Sequence, residues 1–369
     1  MRVLQIINSL GTGGAEKLLL DTIPLYRAHG IEMDILLLWD HDDALFTREL
    51  RKMNCCKIHI IKKSNRIRDI YNPFAIFKIA KLLKQYDLAH VHLFPAQYYV
   101  VFANLWNGNT TKLVFTEHNT TNTRLQRKIF KGIERFIYKR YGKIVCITEE
   151  IKQIYSNYLP KFQSKFQVIQ NGVAIDKIQN TIPYSKVYAP FYLNTTDKII
   201  LQVAAFRSQK DQITLIKAMP YLDNHFKLFL VGDGDTLEKC QLICKDLGLE
   251  HRVFFLGQRN DIPELLKTAD YVVLSSYYEG LSLASIEGLA SGKPFIASDV
   301  AGLHDIVSGY GLLFEQGNSE QLAKIINSLD SNEVLYREVA TLGMVRANEF
   351  DNNKMILKHI ELYKAIYEN

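Results

Sequence analysis

The chain has 369 residues, of which 47% are hydrophobic and 23% charged, with a formal net charge of +6. That is too long for one ordinary core and has the mix of a globular chain, so two domains are expected and a disordered or tail-like protein is excluded. The positive balance allows an anionic partner but is too mild to imply nucleic acid, and no apolar run approaches the ~18 residues of a membrane-crossing helix.

Residues 1–7 are apolar but run directly into a glycine loop, so they read as a first strand rather than a leader. The five cysteines (Cys55, Cys56, Cys146, Cys240, Cys244) are odd in number and lack Cys-x-x-Cys spacing. That suits reduced thiols in a reducing compartment and no zinc site. Strand-like runs over 2–8, 33–38, 58–61, 89–93, 112–116, 143–148 and 166–170 alternate with helical patterns over 15–29, 73–85, 95–106, 124–141 and 149–158. This alternation predicts a doubly wound parallel sheet. A second series of strands follows at 199–204, 227–231, 253–256, 271–275, 295–297 and 312–314. The irregular stretch 178–197, with Pro183 and Pro190, reads as the connection between them, and 352–367 as an amphipathic last helix.

In the first series, Gly11-Thr-Gly-Gly14 follows a strand. A dinucleotide fingerprint would place its third glycine at Glu16, and a carboxylate beside a pyrophosphate is unfavourable, which argues against a nicotinamide enzyme. A tight turn is the plain alternative. His90 and His92 share one face of a strand and read as structural. His118, in Phe115-Thr-Glu-His-Asn119, ends a strand, where it faces the ligand crevice with a near-neutral pKa that lets it donate or accept a proton. The 124–141 helix places Arg124, Arg127, Lys128, Lys131, Arg135 and Lys139 on one face and Ile129, Ile133, Phe136 and Ile137 opposite. The apolar face is expected to pack on the sheet. The basic face is either solvated or, with Lys62, Lys63, Arg66 and Arg68 and the aromatic run Tyr98, Tyr99, Phe102 and Trp106, touches anionic headgroups or a diphosphate-linked acceptor.

In the second series, Arg207 and Lys210 lie between a strand and a helix. A lysine there can reach a diphosphate as a point charge and an arginine can bind it bidentately, against the alternative of a solvated arginine and a capping lysine. Asp233 and Asp235 spell an Asp-x-Asp that can hold a divalent metal, but they fall inside a glycine turn after a strand and read as that turn. The densest stretch is 275–292. Gly280 frees the backbone, Ser282 can cap a helix, and Leu283, Ile286, Leu289 and Ala290 give it an apolar stripe. Its N-terminus at the carboxyl end of a parallel strand suits a phosphate. Glu279 just ahead and Glu287 further along would repel that anion unless they accept hydrogen bonds from sugar hydroxyls. An ordinary surface glutamate and a helix-face glutamate are the plain alternative.

The run Glu-Gly-Leu-Ser-Leu-Ala-Ser-Ile-Glu (279–287), followed by Ala-Ser-Gly-Lys-Pro-Phe-Ile-Ala-Ser-Asp (290–299), resembles the donor-site signature of the family 4 retaining glycosyltransferases. The resemblance implies the α/β GT-B fold, two Rossmann-like doubly wound domains facing each other across a cleft. These would be an acceptor-binding domain over 1–180 and a nucleotide-sugar donor domain over 190–350, with the last helix, 352–369, packing back on the first. It implies that Glu279 contacts the transferred sugar, Glu287 holds the ribose hydroxyls, and the backbone at Ser282 and Leu283 binds the pyrophosphate. The family has glycine where Ser282 stands. Gly13 and Gly14 would approach the donor phosphate and His118 the sugar. Lys210 would bind the diphosphate, with Arg207 in place of the family's arginine, and the backbone around Arg259 and Asn260 would wrap the base.

The expected activity is retaining transfer of a hexosyl or N-acetylhexosaminyl group in cell-surface polysaccharide or glycolipid biosynthesis. The donor would be a nucleotide sugar, UDP-linked first and GDP-linked second, and the acceptor a hydroxyl of a glycan or polyprenyl-diphosphate-linked molecule. No other cofactor, no strict metal requirement and no nucleic-acid partner are expected. The location would be cytoplasmic, at the inner face of the membrane where the basic helix touches it. A nucleotide-sugar epimerase or phosphorylase on the same fold, and a non-enzymatic protein binding an anionic surface, are the alternatives.

Overall fold

The structure, a computed structural model, describes residues 1–11, 13–41, 44–118, 127–186 and 193–368. It divides into two compact units, Met1–Gly172 with Asn352–Asn369, and Val173–Asp351. The first runs β1 (Arg2–Ile7), α1 (Gly14–Ala28), β2 (Glu32–Asp40), α2 (Leu45–Met53), β3 (Ile58–Lys63), α3 (Ala75–Leu83), β4 (Leu88–His92), α4 (Ala96–Trp106), β5 (Lys112–Glu117), α5 (Lys131–Arg140), β6 (Lys143–Cys146), α6 (Glu149–Tyr158) and β7 (Phe166–Val168). The second runs α7 (Ile175–Gln179), β8 (Lys198–Val203), α8 (Gln212–Ala218), β9 (Phe226–Val231), α9 (Leu237–Asp246), β10 (Val253–Phe255), α10 (Ile262–Thr268), β11 (Tyr271–Leu274), α11 (Leu283–Ala290), β12 (Phe295–Ser298), α12 (His304–Val307), β13 (Leu312–Phe314), α13 (Ser319–Ser331) and α14 (Glu333–Ala347). The last helix, α15 (Asn352–Tyr367), belongs to the first unit.

Both sheets are wholly parallel among the described residues, in the orders β3-β2-β1-β4-β5-β6-β7 and β10-β9-β8-β11-β12-β13. Helices on both faces bury the strands almost end to end. That is why they read in the sequence as continuous β-branched runs rather than alternating ones. Each unit is thus a doubly wound Rossmann-like layer, and each sheet reverses its strand order once, between β1 and β4 in the first and between β8 and β11 in the second. Loops at the carboxyl ends of those strands form the crevice in which such sheets bind ligands.

Two local readings change. Among the four apolar residues assigned to the packed face of the basic helix, only Ile137 is buried, whereas Ile129, Ile133 and Phe136 are exposed. The face that packs is Glu134, Ile137 and Tyr138, continued by Tyr141, with the Tyr98 hydroxyl donating to Glu134 at 2.6 Å. A hydrogen-bonded glutamate replaces the apolar residue that the pattern requires. The α-helix itself begins at Lys131, after a 3₁₀ turn over Lys128–Phe130, and Arg124 lies outside the described residues, as does Asn119 beside His118. The second change is in the stretch 178–197. Its described residues, 178–186 and 193–197, belong to the second unit, where the Tyr184 hydroxyl donates to Asp261 and Lys186 pairs with Asp270, and Pro190 lies outside the described residues.

Candidate active site

Lys210 and Glu279, 69 residues apart in sequence, meet at the switch point of the second sheet. The Lys210 turn follows β8 and the Glu279 loop follows the neighbouring β11. Lysine Nζ lies 2.5 Å from Glu279 Oε1, and the same oxygen accepts from Ser276 Oγ at 2.5 Å. The glutamate side chain keeps 7% of its surface exposed and the lysine 19%, so a small cationic head remains accessible beside a carboxylate held in place.

Three residues that the sequence reading passed over hold these loops together. Gln202, the buried penultimate residue of β8, donates from Nε2 to the Lys210 carbonyl at 3.0 Å. Ser275, just past β11, donates to the carbonyl of Asp211 at 2.7 Å. The two loops also exchange bonds directly. Tyr277 N–H donates to the Gln209 carbonyl, and Gln209 Nε2 to the Tyr278 carbonyl, both at 2.7 Å. Polar residues at the last positions of otherwise apolar strands were the available signal. Buried polar groups are kept when they are hydrogen-bonded, and here they fix backbone next to a crevice. Asp211, which follows Lys210, takes the left-handed conformation (φ 45°), a conformation found for non-glycine residues mainly where surrounding structure enforces it.

Ser282 is the N-cap of α11, its hydroxyl oxygen accepting from Ser285 N–H at 3.4 Å. Leu283 is the first helical residue, and Glu287, half-buried, lies on the second turn. The helix sits close to the sheet because Gly288 has no side chain. A Cβ there would overlap the Phe295 ring. A further glycine, Gly302 (φ 83°), presses its backbone against the carbonyls of Glu279 and Gly280 and braces the loop from the β12 side.

The Asp233 carboxylate is used locally, accepting from Gly234 N–H at 2.8 Å, while Asp235 is exposed. The turn itself is clamped onto the loop after β8, with Phe206 N–H donating to the Asp233 carbonyl at 2.9 Å. Among the described residues no cluster of three or more His, Cys, Asp or Glu side chains is placed to hold a metal ion. Gly234 has φ 147°, and a Cβ on it would overlap the Phe206 carbonyl oxygen. Gly234→Ala should therefore destabilise the second unit by at least about 2 kcal/mol, through strain plus a displaced backbone. Urea unfolding of wild type and variant measures this, and a loss under 0.5 kcal/mol would show that the clamp yields at little cost. Arg259 does not reach outward, because its guanidinium is held by Asp261 at 2.8 Å (Nε) and 2.5 Å (Nη2). Arg207 is exposed at the start of the turn that ends at Lys210.

In the first unit, Gly13 is the N-cap of α1 and Gly14 its first residue, both exposed. The Glu16 carboxylate lies where a Gly13 side chain would be, folded over the start of the helix. His118 follows β5, and its Nε2 lies 3.0 Å from His92 Nδ1. Burial pushes the imidazole down to about 4, so the ring is neutral at physiological pH instead of poised near neutrality. All five cysteines carry free thiols, and among the described residues no helix is long and apolar enough to cross a membrane.

Two doubly wound parallel units are the components of the GT-B architecture. A family model described as glycosyl transferases group 1 matches residues 189–342, and one described as glycosyltransferase family 4 matches residues 12–177. The chain belongs to the family 4 glycosyltransferases. Among curated relatives, it is 26% identical over 314 residues to the UDP-Gal:alpha-D-GlcNAc-diphosphoundecaprenol alpha-1,3-galactosyltransferase of Escherichia coli, covering 82% of this chain and 80% of that one. It is 24% identical over 364 residues to an N-acetylgalactosamine-N,N'-diacetylbacillosaminyl-diphospho-undecaprenol 4-alpha-N-acetylgalactosaminyltransferase of Campylobacter jejuni, covering 95% of each. Among solved structures, the Anabaena protein HepE in complex with UDP and glucose superimposes with a TM-score of 0.83 at 22% identity over 99% of both chains.

Proposed function

We propose that this glycosyltransferase moves a hexosyl or N-acetylhexosaminyl group from a UDP-sugar to a hydroxyl of a polyprenyl-diphosphate-linked or glycan acceptor, with retention, in polysaccharide or glycolipid biosynthesis at a membrane surface. The observation that carries it is the Lys210–Glu279 pair beside the Ser282-capped helix at the switch point of the second sheet. The names of the two relatives, both of which act on diphosphoundecaprenol-linked acceptors, support the acceptor class. The UDP held by the structural neighbour supports the base.

In this reading Lys210 and the first amides of α11 take the charge that builds on the departing diphosphate, and Glu287 accepts from the ribose hydroxyls. Glu279 accepts from a hydroxyl of the transferred sugar, and in the first unit His118 accepts from a substrate hydroxyl. The C1–O bond to phosphate breaks and the acceptor oxygen bonds to C1 on the same face. The acceptor's hydroxyl proton passes to the departing phosphate oxygen, and a nucleoside diphosphate leaves. No protein residue need become covalently attached. Lys210 and the helix amides compensate the diphosphate charge, so turnover should persist in excess chelator.

Calorimetry with UDP tests the division of roles. Lys210→Ala and Glu287→Ala should each weaken UDP at least about 10-fold, as expected for loss of a charge-assisted hydrogen bond. Glu279→Gln leaves an oxygen to accept from Ser276 and Lys210, and should bind UDP within twofold of wild type while losing turnover. Equal losses of UDP affinity in all three would refute the assignment.

A further inference from the structure

The first unit contains a buried chain of polar side chains that leads from His118 to the last helix. His92 Nδ1 lies 3.0 Å from His118 Nε2, and His92 Nε2 lies 2.8 Å from Gln5 Oε1. Gln5 Nε2 lies 3.3 Å from Met33 Sδ and 3.4 Å from the Tyr363 hydroxyl. That hydroxyl is 2.5 Å from His90 Nδ1, and His90 Nε2 is 2.6 Å from Thr116 Oγ1. Gln5, His90, His92, Thr116 and Tyr363 are all buried.

The direction of every bond in the chain follows from one atom. The Gln5 amide faces Met33 with its nitrogen, and since a thioether has no hydrogen to donate, only this orientation makes a hydrogen bond there. The amide oxygen then faces His92 and can only accept, which places the proton of the neutral His92 on Nε2. His92 Nδ1 is left as a lone pair, and the hydrogen between the two imidazoles therefore belongs to His118 Nε2. Along the other arm, Tyr363 accepts from Gln5 and donates to His90 Nδ1, and His90 donates from Nε2 to Thr116. Each group uses its donors and acceptors once, without conflict.

We propose that this chain locks His118 as the Nε2–H tautomer, so that its Nδ1 presents a lone pair to a substrate hydroxyl, and that His92 and Gln5 are positioning residues for the transfer proposed above. Among the described residues Nδ1 of His118 has no partner. The ligand class that fits it is a hydroxyl donor, such as a sugar O–H, and an oxyanion or carbonyl is disfavoured there. Which ring nitrogen of a histidine is available is set by the bond the other makes. Tyr363 makes α15 part of this arrangement, so the last helix carries a chemical role beside its packing.

Imidazole nitrogen NMR on the full chain, labelled at histidine and at pH 7, reads the tautomer without any substrate. Wild type should show His118 protonated at Nε2 alone. His92→Phe and Gln5→Leu should convert that signal to a mixture of both tautomers. Asparagine at position 92 places an amide oxygen near the old Nδ1, so His92→Asn should restore the single form. With a panel of UDP-sugars, His92→Phe should lower kcat about 10-fold, what the loss of one well-placed hydrogen bond to substrate amounts to, with UDP affinity within about twofold. His92→Asn should recover most of the loss. A proton on His118 Nδ1 in wild type, or a tautomer unchanged in both disrupting variants, overturns the proposal. If His92→Phe fails to fold, Gln5→Leu carries the same test. Absence of turnover by wild type across the panel would defeat the functional reading instead, and the NMR result would stand apart from it.

Discussion

Lowering the pH from 7.5 to 5 should cost the first unit several kcal/mol of stability and unfold it near the lower end of that range. Four histidines are packed together in this unit. Burial and their mutual repulsion hold His90 and His92 well below the ordinary histidine range, and burial above all brings His118 to about 4 and His359 to about 3. In the unfolded chain each titrates near 6.5. Below that pH the unfolded state takes up protons that the folded state refuses, so the stability they confer is present above 6.5 and is lost as pH falls toward 4. Each histidine costs roughly 2 kcal/mol between pH 7.5 and pH 5, and four acting independently roughly 8. That compares with the about 5–15 kcal/mol by which a domain is stable at all. Thermal melts at pH 7.5, 6.5, 5.5 and 5 should show Tm flat above 6.5 and falling steeply below it. His359→Asn keeps an acceptor for the Tyr26 hydroxyl, which bonds Nδ1 at 2.7 Å, and should reduce the slope by one proton. A melting temperature unchanged down to pH 5 would mean that these rings titrate in the fold as they do in the unfolded chain.

The alternation of strands and helices is legible in the sequence because strands buried on both faces leave short β-branched runs, and the helix caps are written in single residues. Ser282 is one such cap, and Thr148, which accepts from Ile151 N–H, is another. Helix α2 escapes the reading because it has nine residues, only Phe46, Thr47 and Leu50 of which are buried, among several charged neighbours. The orientation of α5 escapes it because Glu134 is buried by a hydrogen bond to Tyr98, and hydrophobic periodicity cannot register a polar residue that has found its partner. Individual members of the donor-side constellation stand out in sequence, but their meeting does not. Lys210 and Glu279 become neighbours only through the β8–β11 pairing, and Gln5 and Tyr363 bond across 358 positions of sequence. The near-neutral pKa expected for His118 likewise fails for a reason outside its own motif, since burial holds it down and the ring packed against it, His92, comes from β4.

The corrected orientation of α5 strengthens the case for membrane attachment and makes it quantitative. Helices α3, α4 and α5 follow one another on one face of the first sheet. Phe77 meets Trp106 edge to face at 5.1 Å between ring centres, and Phe102 stacks on Phe136 at 6.2 Å. Trp106 is 71% exposed, Phe74 71% and Ile129 85%. Arg127, Arg135 and Lys139 are exposed among them, with Lys62, Lys63, Arg66 and Arg68 exposed in the strand and turn that precede α3. Large apolar side chains interleaved with cations on an exposed helical surface suit the headgroup boundary of an anionic bilayer, where an amphipathic helix lies in the plane with its apolar side chains inserted. Each cation near such a surface contributes about 1 kcal/mol at low ionic strength, and each fully inserted large apolar side chain about 1.5–3 kcal/mol. Salt screens the first contribution and leaves the second. Vesicles containing anionic lipid should therefore sediment the protein at low salt and retain part of it at high salt. Arg127→Ser, Arg135→Ser and Lys139→Ser together should weaken low-salt binding about 100-fold, which is what about 3 kcal/mol amounts to. Trp106→Ser with Ile129→Ser should remove most of the part that survives salt, and neither set should change UDP affinity, since the UDP site proposed above draws on the second unit. If wild type stays in solution with anionic vesicles even at low salt, the apolar residues serve a soluble acceptor or a protein partner, and the lipid-linked acceptor loses its structural support.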